Sequence, residues 1–177
     1  YQDPRQRDTS PFIEIRGWRV VRHFPSEGVT ETPVDYLIAS GSLISVEALR
    51  TVGPMRDDLF IDYVDIEWGL RARSRGLRNY GVFGARMAHD LGEAPIEFRG
   101  RSIPVHSPLR HYYIMRNALL LYRDPRVPAH WKWVDGSRLV LKFGFYSVFT
   151  ARPLQHLCMM LRGLWDGLRG RGGPYAG

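Results

Sequence analysis

Three carboxylates stand close together in the segment Phe60–Trp68, at Asp62, Asp65 and Glu67. A positioned carboxylate can take a proton from a reacting group as a general base. Asp65 and Glu67 are two residues apart, so on a helix they diverge and do not form the facing carboxylate pair of glycoside hydrolases. A plain helix start explains the same acids, with Asp62 as the cap and Glu67 paired with Arg71 one turn later. Asp65 would then simply favour the positive end of the helix dipole.

Polar residues in two other segments could contact a ligand. Ser40-Gly41-Ser42 would let a ligand approach the backbone closely, but a turn that ends a strand explains these residues equally well. Arg110, Tyr113 and Asn117 are spaced i, i+3 and i+7, so they share one face of a predicted helix. The alternative for this face is a solvated arginine beside a buried tyrosine.

Short strands and capped helices are predicted to position these residues. Alternating apolar and polar residues predict strands at Phe12–Val21, Val34–Ala39 and Tyr80–Ala88, the first folded into a pair at Arg16-Gly17. Caps, helical spacing and glycine stops predict helices at about Ser45–Val52, Asp62–Arg75, Ser107–Arg123, Gly136–Ala151 and Pro153–Arg169. Segments 93–106 and 124–133 are expected to be a loop and a connector.

The predicted last helix carries apolar residues at helical spacing. They are Leu154, Leu157, Cys158, Leu161, Leu164, Trp165 and Leu168. Arg162 and Arg169 lie off this stripe and Arg171 follows it, which is typical of a helix that lies on a membrane surface. Packing of the helix on its own domain explains the stripe as well.

The composition is that of an ordinary globular protein, with 44% hydrophobic and 24% charged residues. A chain of 177 residues suits one domain or a large part of one. Cys158 is the only cysteine, which excludes an intrachain disulfide and a four-thiolate metal site and fits a reducing, cytoplasmic setting. The sequence shows neither a signal peptide nor a run of about 18 apolar residues, so no membrane-spanning helix is expected.

The formal net charge of +7 comes almost wholly from arginine, because Lys132 and Lys142 are the only lysines. Arginine suits bidentate contacts with phosphates and carboxylates, so anionic partners are expected. Nucleic acid is disfavoured, since the arginines are scattered and lysine is nearly absent.

Three segments together resemble the family-2 glycosyltransferases of the GT-A fold, in particular the bacterial rhamnosyltransferases that build surface polysaccharides. They are Ser40 to Ile44, Phe60 to Arg71 and His89 to Gly92, in this order and spacing. The resemblance extends more loosely through Arg110-His111-Tyr112-Tyr113 and Arg116-Asn117, and covers most of the chain from about Asp35. It implies an α/β fold in which the acceptor-side, C-terminal part of a GT-A domain is followed by helices.

The resemblance also implies roles for individual residues. Asp65 stands where family members place the general base that deprotonates the acceptor hydroxyl. The position before it is often acidic in the family and is Val64 here, which leaves Asp62 and Glu67 as alternates. A wider set is expected to bind substrate: Ser40, Gly41, Ser42, Trp68, Arg110, Tyr113, Arg116 and Asn117.

A divalent metal, Mg or Mn, is the cofactor that the resemblance implies. His89 stands where related enzymes use a histidine beside an Asp-x-Asp motif to hold the metal. A hydrogen-bonded structural histidine is the alternative. The sequence contains no Asp-x-Asp, and Asp57-Asp58 has the wrong spacing and position.

The strand, turn and helix unit that binds the nucleotide in GT-A enzymes is not recognisable in this sequence. We therefore expect residues 1–126 to be the acceptor-side part of a catalytic domain and 127–177 a helical extension that could contact a membrane. The N-terminal, nucleotide-binding half is expected to be absent, and the chain alone inactive.

The implied activity is inverting transfer of a sugar, L-rhamnose from dTDP-rhamnose, to a cell-surface polysaccharide or lipid-linked glycan. The donor sugar rests wholly on the resemblance, and galactofuranose and glucose stay open. The implied partners are the nucleotide sugar and the glycan acceptor. Contact of the last helix with the inner face of the cytoplasmic membrane is a further expectation, which rests on its apolar stripe and arginines. The alternative is a non-catalytic module that binds a glycan or a protein.

Overall fold

A computed structural model of the chain describes residues 10–87, 96–98 and 101–177, with backbone only at residues 97, 98, 101 and 102. The described residues form two compact units. Unit 1 comprises the described parts of Tyr1–Arg56, Val64–Asp90 and Arg126–Val134. Unit 2 comprises the described parts of Asp57–Tyr63, Leu91–Pro125 and Asp135–Gly177.

Unit 1 is built from short strands and two helices. Strands β1 (Phe12–Arg16) and β2 (Arg19–His23) form an antiparallel hairpin, and β3 (Glu31–Val34) pairs antiparallel with β4 (Asn79–Val82). Helix α1 (Val46–Val52) and helix α2 (Val64–Ser74) lie between β3 and β4 in the sequence. Buried Val52, Trp68 and Ala72 form a core against which Ile44, Ala48 and Leu77 pack.

Unit 2 is mostly helical. A 3₁₀ turn (Asp57–Leu59) opens it, and β5 (Ile96–Phe98) pairs antiparallel with β6 (Arg101–Ile103). Helix α3 (Pro108–Tyr122) is buried along His111–Ala118, and α5 (Pro153–Leu168) packs against it. Helix α4 (Ala129–Phe149) contributes its residues from Asp135 onward to this unit.

Two glycines let α5 lie directly on the backbone of α3. Gly163 and Gly167 are four residues apart and therefore share one helix face. A Cβ added at Gly163 would overlap the carbonyl oxygen of Tyr112, and one at Gly167 would lie 2.9 Å from the carbonyl oxygen of Arg116. The two helices could not come this close with larger side chains at these positions.

The locally encoded elements are confirmed. The Oγ of Ser45 accepts a hydrogen bond from the backbone N–H of Ala48 at 3.0 Å, and α1 ends at Gly53 with φ 83°. Ser107 caps α3 through its side chain, with Pro108 in the first turn. The N-terminal hairpin, the last helix and the mixed α/β class are also as predicted.

Elements that depend on distant partners differ from prediction. Strand β3 ends at Val34, where the predicted strand begins, because its register is set by pairing with β4. The predicted loop 93–106 contains the β5–β6 hairpin, and α4 already begins at Ala129 within the predicted connector. The division expected at 126/127 stays a prediction, since each of the two compact units combines several segments of the chain.

None of the helices in the described part of the chain has both the length and the apolar content that crossing a bilayer requires.

The close contact between α3 and α5 generates a stability prediction. We expect Gly163→Ala to lower the free energy of unfolding by about 1 to 3 kcal/mol, because the new methyl group meets the α3 backbone. The matched control is Gly144→Ala in α4, where an added Cβ meets nothing within 4 Å. That variant should be neutral or stabilised by up to about 1 kcal/mol. Urea denaturation measures both, and equal changes would contradict the close packing.

Candidate active site

Unit 1 contains a cavity of about 300 Å³ beside helix α2. The residues that line it include the apolar side chains of Leu37, Ile44, Met55, Trp68 and Leu77. Polar residues line it as well: Ser42, Ser45, Asp65, Arg78, Asn79 and Tyr80. A concave site with an apolar wall and a few converging polar groups is the usual form of a small-molecule pocket.

The carboxylate of Asp65 is held in a defined orientation at this cavity. Asp65 lies in the first turn of α2 and is half-buried. Its Oδ2 accepts a hydrogen bond from the backbone N–H of Ala39 at 3.1 Å, and its Oδ1 accepts one from the N–H of Ile66 at 2.8 Å. These two donors fix the orientation of the carboxylate, whose oxygens have further lone pairs that can accept from a ligand.

Helix α2 is fixed by a buried ion pair one turn further on. Glu67 is 1% exposed, and its two carboxylate oxygens accept hydrogen bonds from Arg71 at 2.8 and 2.9 Å. Arg71 also donates to the carbonyl oxygens of Val52 and Pro54, at the end of α1. The pairing of Glu67 with Arg71 that the sequence allowed is therefore confirmed, and Glu67 is not among the residues that line the cavity.

Close backbone packing brings further polar residues to the cavity. Gly69 on α2 has no room for a side chain, since a Cβ there would lie 2.6 Å from the Cβ of Tyr36. The side chain of Asn79 donates to the carbonyl oxygens of Asp35 and Gly69 at 2.8 and 3.2 Å. The sequence analysis did not identify Asn79 as a cavity residue. Its position could have indicated this, because it is a polar residue at the start of β4, shortly after Gly76 ends helix α2.

In unit 2, Asp62 is engaged by an arginine and does not cap α2, which begins at Val64. The guanidinium of Arg110 donates from Nε and Nη2 to the Asp62 carboxylate at 3.0 to 3.2 Å. The side chains of Asp62 and Arg110 are 14% and 38% exposed, so the pair is accessible from solvent on its arginine side. The prediction that Asp62 is a helix cap is wrong, because this non-local partner binds its side chain.

The loop around Asp62 has an unusual backbone that α3 holds in place. Phe60, Asp62 and Tyr63 have φ of 63° to 64°, a conformation that residues other than glycine rarely adopt. The side-chain amide of Asn117 donates to the carbonyl oxygens of Leu59, Ile61 and Asp62 at 2.8 to 2.9 Å. Such strained segments persist only where surrounding contacts over-determine them, and they are common at functional sites.

Arg116 supports the same loop. It donates to the carbonyl oxygens of Asp58 and Leu59, and like Asn117 it is almost completely buried. Tyr113 is buried too, and its hydroxyl accepts a hydrogen bond from the N–H of Tyr175 at 2.7 Å. All three side chains therefore have structural partners, and their assignment as substrate-binding residues stays a prediction.

The other predicted site residues are distributed as follows. Ser42, Asp65 and Trp68 line the cavity of unit 1, whereas Ser40 and Gly41 are exposed and do not line it. The indole N–H of Trp68 donates to the carbonyl oxygen of Gly53 at 2.9 Å. His89 lies outside the residues that the structure describes.

Unit 2 also contains a buried histidine pair. The Nδ1 atoms of His111 and His156 are 2.8 Å apart. One ring must therefore donate its Nδ1–H to the unprotonated Nδ1 of the other ring, which is neutral. His111 stacks on Tyr146 with ring centroids 4.2 Å apart. Burial, followed by the nearby positive charge of His156 and His106, lowers the pKa of His111 from 6.5 to about 3.

The chain is 42% identical over 116 residues to the dTDP-rhamnosyl transferase RfbF of Shigella flexneri. It resembles a rhamnosyltransferase. The match covers 66% of this chain and 39% of that relative, so the chain spans about two fifths of the relative's length. The resemblance inferred from the sequence is thereby confirmed. No family model and no solved structure matches the chain.

The divalent metal that the resemblance implies stays a prediction. Within residues 10–87, 96–98 and 101–177, no group of three or more histidine, cysteine, aspartate or glutamate side chains could hold a metal ion. The sequence also lacks an Asp-x-Asp motif. The ligand candidate in this chain, His89, lies outside the described residues, so its assignment stays a prediction too.

The structural role of Glu67 generates a prediction. We expect Glu67→Gln to lower the free energy of unfolding by about 2 to 4 kcal/mol, because it leaves the buried Arg71 without its counter-charge. The control is Glu27→Gln at an exposed loop position, which should change that free energy by less than about 0.5 kcal/mol. Chemical denaturation measures both variants. If Glu67→Gln changed the free energy of unfolding as little as the control does, the ion pair would not contribute to the stability of α2.

The buried histidine pair generates a pH prediction. The pKa of His111 is lower in the folded than in the unfolded chain, so its stabilising contribution is complete above pH 6.5 and is lost as the pH falls from 6.5 towards 3. The slope from this group is on the order of 1 kcal/mol per pH unit. His111→Phe keeps a ring against Tyr146 but does not titrate, and should flatten the pH dependence of the unfolding free energy between pH 6.5 and 5. An unchanged slope would contradict the assignment.

Proposed function

We propose that this chain supplies the acceptor-side part of an inverting glycosyltransferase of the GT-A fold. The observation that carries the proposal is the carboxylate of Asp65, held by two backbone donors at the wall of a cavity of about 300 Å³. The similarity to a dTDP-rhamnosyl transferase supports the reaction class. Asp65 is the general base in this proposal.

The proposed reaction is a single displacement. One oxygen of Asp65 takes the proton of an acceptor hydroxyl while the oxygen of that hydroxyl forms a bond to the anomeric carbon of the donor. The bond between the anomeric carbon and the diphosphate oxygen breaks, and the nucleoside diphosphate leaves with the electron pair. Attack from the face opposite the leaving group inverts the anomeric configuration.

The cavity is suited to a sugar acceptor. Its apolar residues can cover the C–H face of a sugar ring, while Ser42, Arg78 and Asn79 supply groups for the hydroxyls. Asp65 also lines the cavity, so in this proposal it takes the proton from a hydroxyl bound there. We propose a cell-surface polysaccharide or a lipid-linked glycan as the acceptor.

The donor is proposed from the relative alone. RfbF is described as a dTDP-rhamnosyl transferase, and we propose L-rhamnose from dTDP-rhamnose for the protein that contains this chain. Because the match spans 39% of that relative, we assign binding of the nucleotide to the portion of such a protein that lies beyond the match. Any divalent metal at the diphosphate would be held there together with His89.

Replacement of Asp65 tests the proposal. In the complete reading frame that contains this chain, Asp65→Asn should lower turnover from dTDP-rhamnose by about 10² to 10⁴ while the thermal unfolding midpoint is retained. Asn keeps an oxygen that can accept from Ala39 but cannot take a proton. Turnover is measured by release of dTDP and by the labelled glycan product.

Two control variants make the test specific. Asp57→Asn changes an exposed acid near the same segment and should leave turnover unchanged. Asp62→Asn tests the alternate base, whose carboxylate is bound by Arg110. Loss of transfer in Asp62→Asn together with normal turnover in Asp65→Asn would overturn the assignment. Binding of the glycan without transfer by the complete protein would instead favour the non-catalytic module.

A further inference from the structure

Helix α5 buries its small and polar face and exposes its large apolar side chains. A helix that packs only on its own domain normally does the reverse. The face that meets α3 consists of small and polar residues together with one methionine: His156, Met160, Gly163, Asp166 and Gly167. The apolar stripe found in the sequence points away from this face. The helix is strongly amphipathic, yet its apolar side is the one that faces outward.

Four large side chains make up most of the exposed stripe. Leu154, Leu161, Trp165 and Leu168 are 51–74% exposed, and their spacing of 7, 4 and 3 residues places them on one side of the helix. The thiol of Cys158 is exposed between them. Helix α4 of the same unit exposes four further apolar side chains: Val140, Leu141, Val148 and Phe149. Contiguous exposed apolar surface on a protein usually marks an interaction site.

The charges beside the stripe are all positive. Arg162 and Arg169 each follow a stripe leucine by one residue, so they lie along one edge of the stripe, and both are exposed. The only acid of α5 is Asp166, which is buried and accepts hydrogen bonds from Tyr112 at 2.9 Å and Arg171 at 3.2 Å. The outward surface of α5 therefore carries cations and no anion.

The tryptophan fits a boundary between apolar and polar surroundings. The guanidinium of Arg169 lies 4.1 Å from the ring centroid of Trp165, which keeps a charged group beside the exposed indole. Indole rings prefer positions where one end is apolar and the other is hydrated. Arginine can place its carbon chain along such a boundary while its head group contacts phosphates.

We propose that α5 lies flat on an anionic lipid bilayer, with its apolar stripe among the acyl chains and Arg162 and Arg169 at the lipid phosphates. A 16-residue helix is about 24 Å long, which is enough to lie on a bilayer but short of the length needed to cross one. A second copy of the chain is a poorer occupant, because its α5 would offer no exposed acid to pair with these arginines. The charge pattern selects anionic lipid over a neutral surface.

Vesicle binding tests the proposal with the 177-residue chain. Co-sedimentation is measured with phosphatidylcholine vesicles and with vesicles that also contain phosphatidylglycerol. We expect partitioning to be at least about tenfold stronger on the anionic vesicles at low salt, and to weaken as salt is added. Equal partitioning onto both vesicle types, or none onto either, would overturn the proposal.

Paired variants locate the contact on α5. Trp165→Ser and the double variant Arg162→Gln/Arg169→Gln should each weaken binding to anionic vesicles by about tenfold, through the apolar and the charged part respectively. The matched controls are Trp18→Ser and the double variant Arg19→Gln/Arg22→Gln, at exposed positions of the β1–β2 hairpin, and should bind as the parent chain does. Circular dichroism checks that each variant keeps its helices.

Two results would contradict the proposed contact between α5 and the membrane. Concentration-dependent dimerisation that Trp165→Ser abolishes, without vesicle binding, would mean that a second copy covers α5. Vesicle binding that the Trp18 and Arg19/Arg22 controls reduce as much as the α5 variants would mean that general basic charge, and not this helix, holds the chain at the membrane.

Discussion

The buried ion pair between Glu67 and Arg71 is the interaction on which the arrangement of the candidate site depends. Arg71 connects α2 with the carbonyl oxygens at the end of α1, so the helix cannot rotate without leaving a charge unpaired in the core. Asp65 stands on the same helix, and its contact with the N–H of Ala39 requires that helix to stay in place. One structural carboxylate thus fixes the position of a neighbouring carboxylate that remains available for chemistry.

The three acids of one short segment therefore have three different partners. Glu67 is bound by Arg71 and Asp62 by Arg110, whereas in the described part of the chain Asp65 accepts hydrogen bonds from two backbone N–H groups. The spacing in the sequence showed that Asp65 and Glu67 would diverge and that Glu67 could pair with Arg71, but not that Asp62 would bind Arg110. The partner of Asp62 is 48 residues away, and pattern reasoning over a single segment has no access to such a contact.

The predictable part of the fold was its local part. Ser45, Gly53 and Ser107 determine helix ends through contacts within four residues, and these ends were predicted correctly. The bounds of β3 and the β5–β6 hairpin depend on partners elsewhere in the chain and were not predicted correctly. In the site, Asp65 and Ser42 could be selected from the sequence and do line the cavity, whereas the buried roles of Arg116 and Asn117 depend on a left-handed loop that no sequence pattern predicts.

The position of Cys158 has a practical consequence. It is the only thiol in the sequence, and it is exposed between the large apolar side chains of α5. A fluorophore attached there would sense the polarity next to this helix without any substitution in the protein. The native chain thus already carries a single labelling site for spectroscopy on the exposed apolar side of α5.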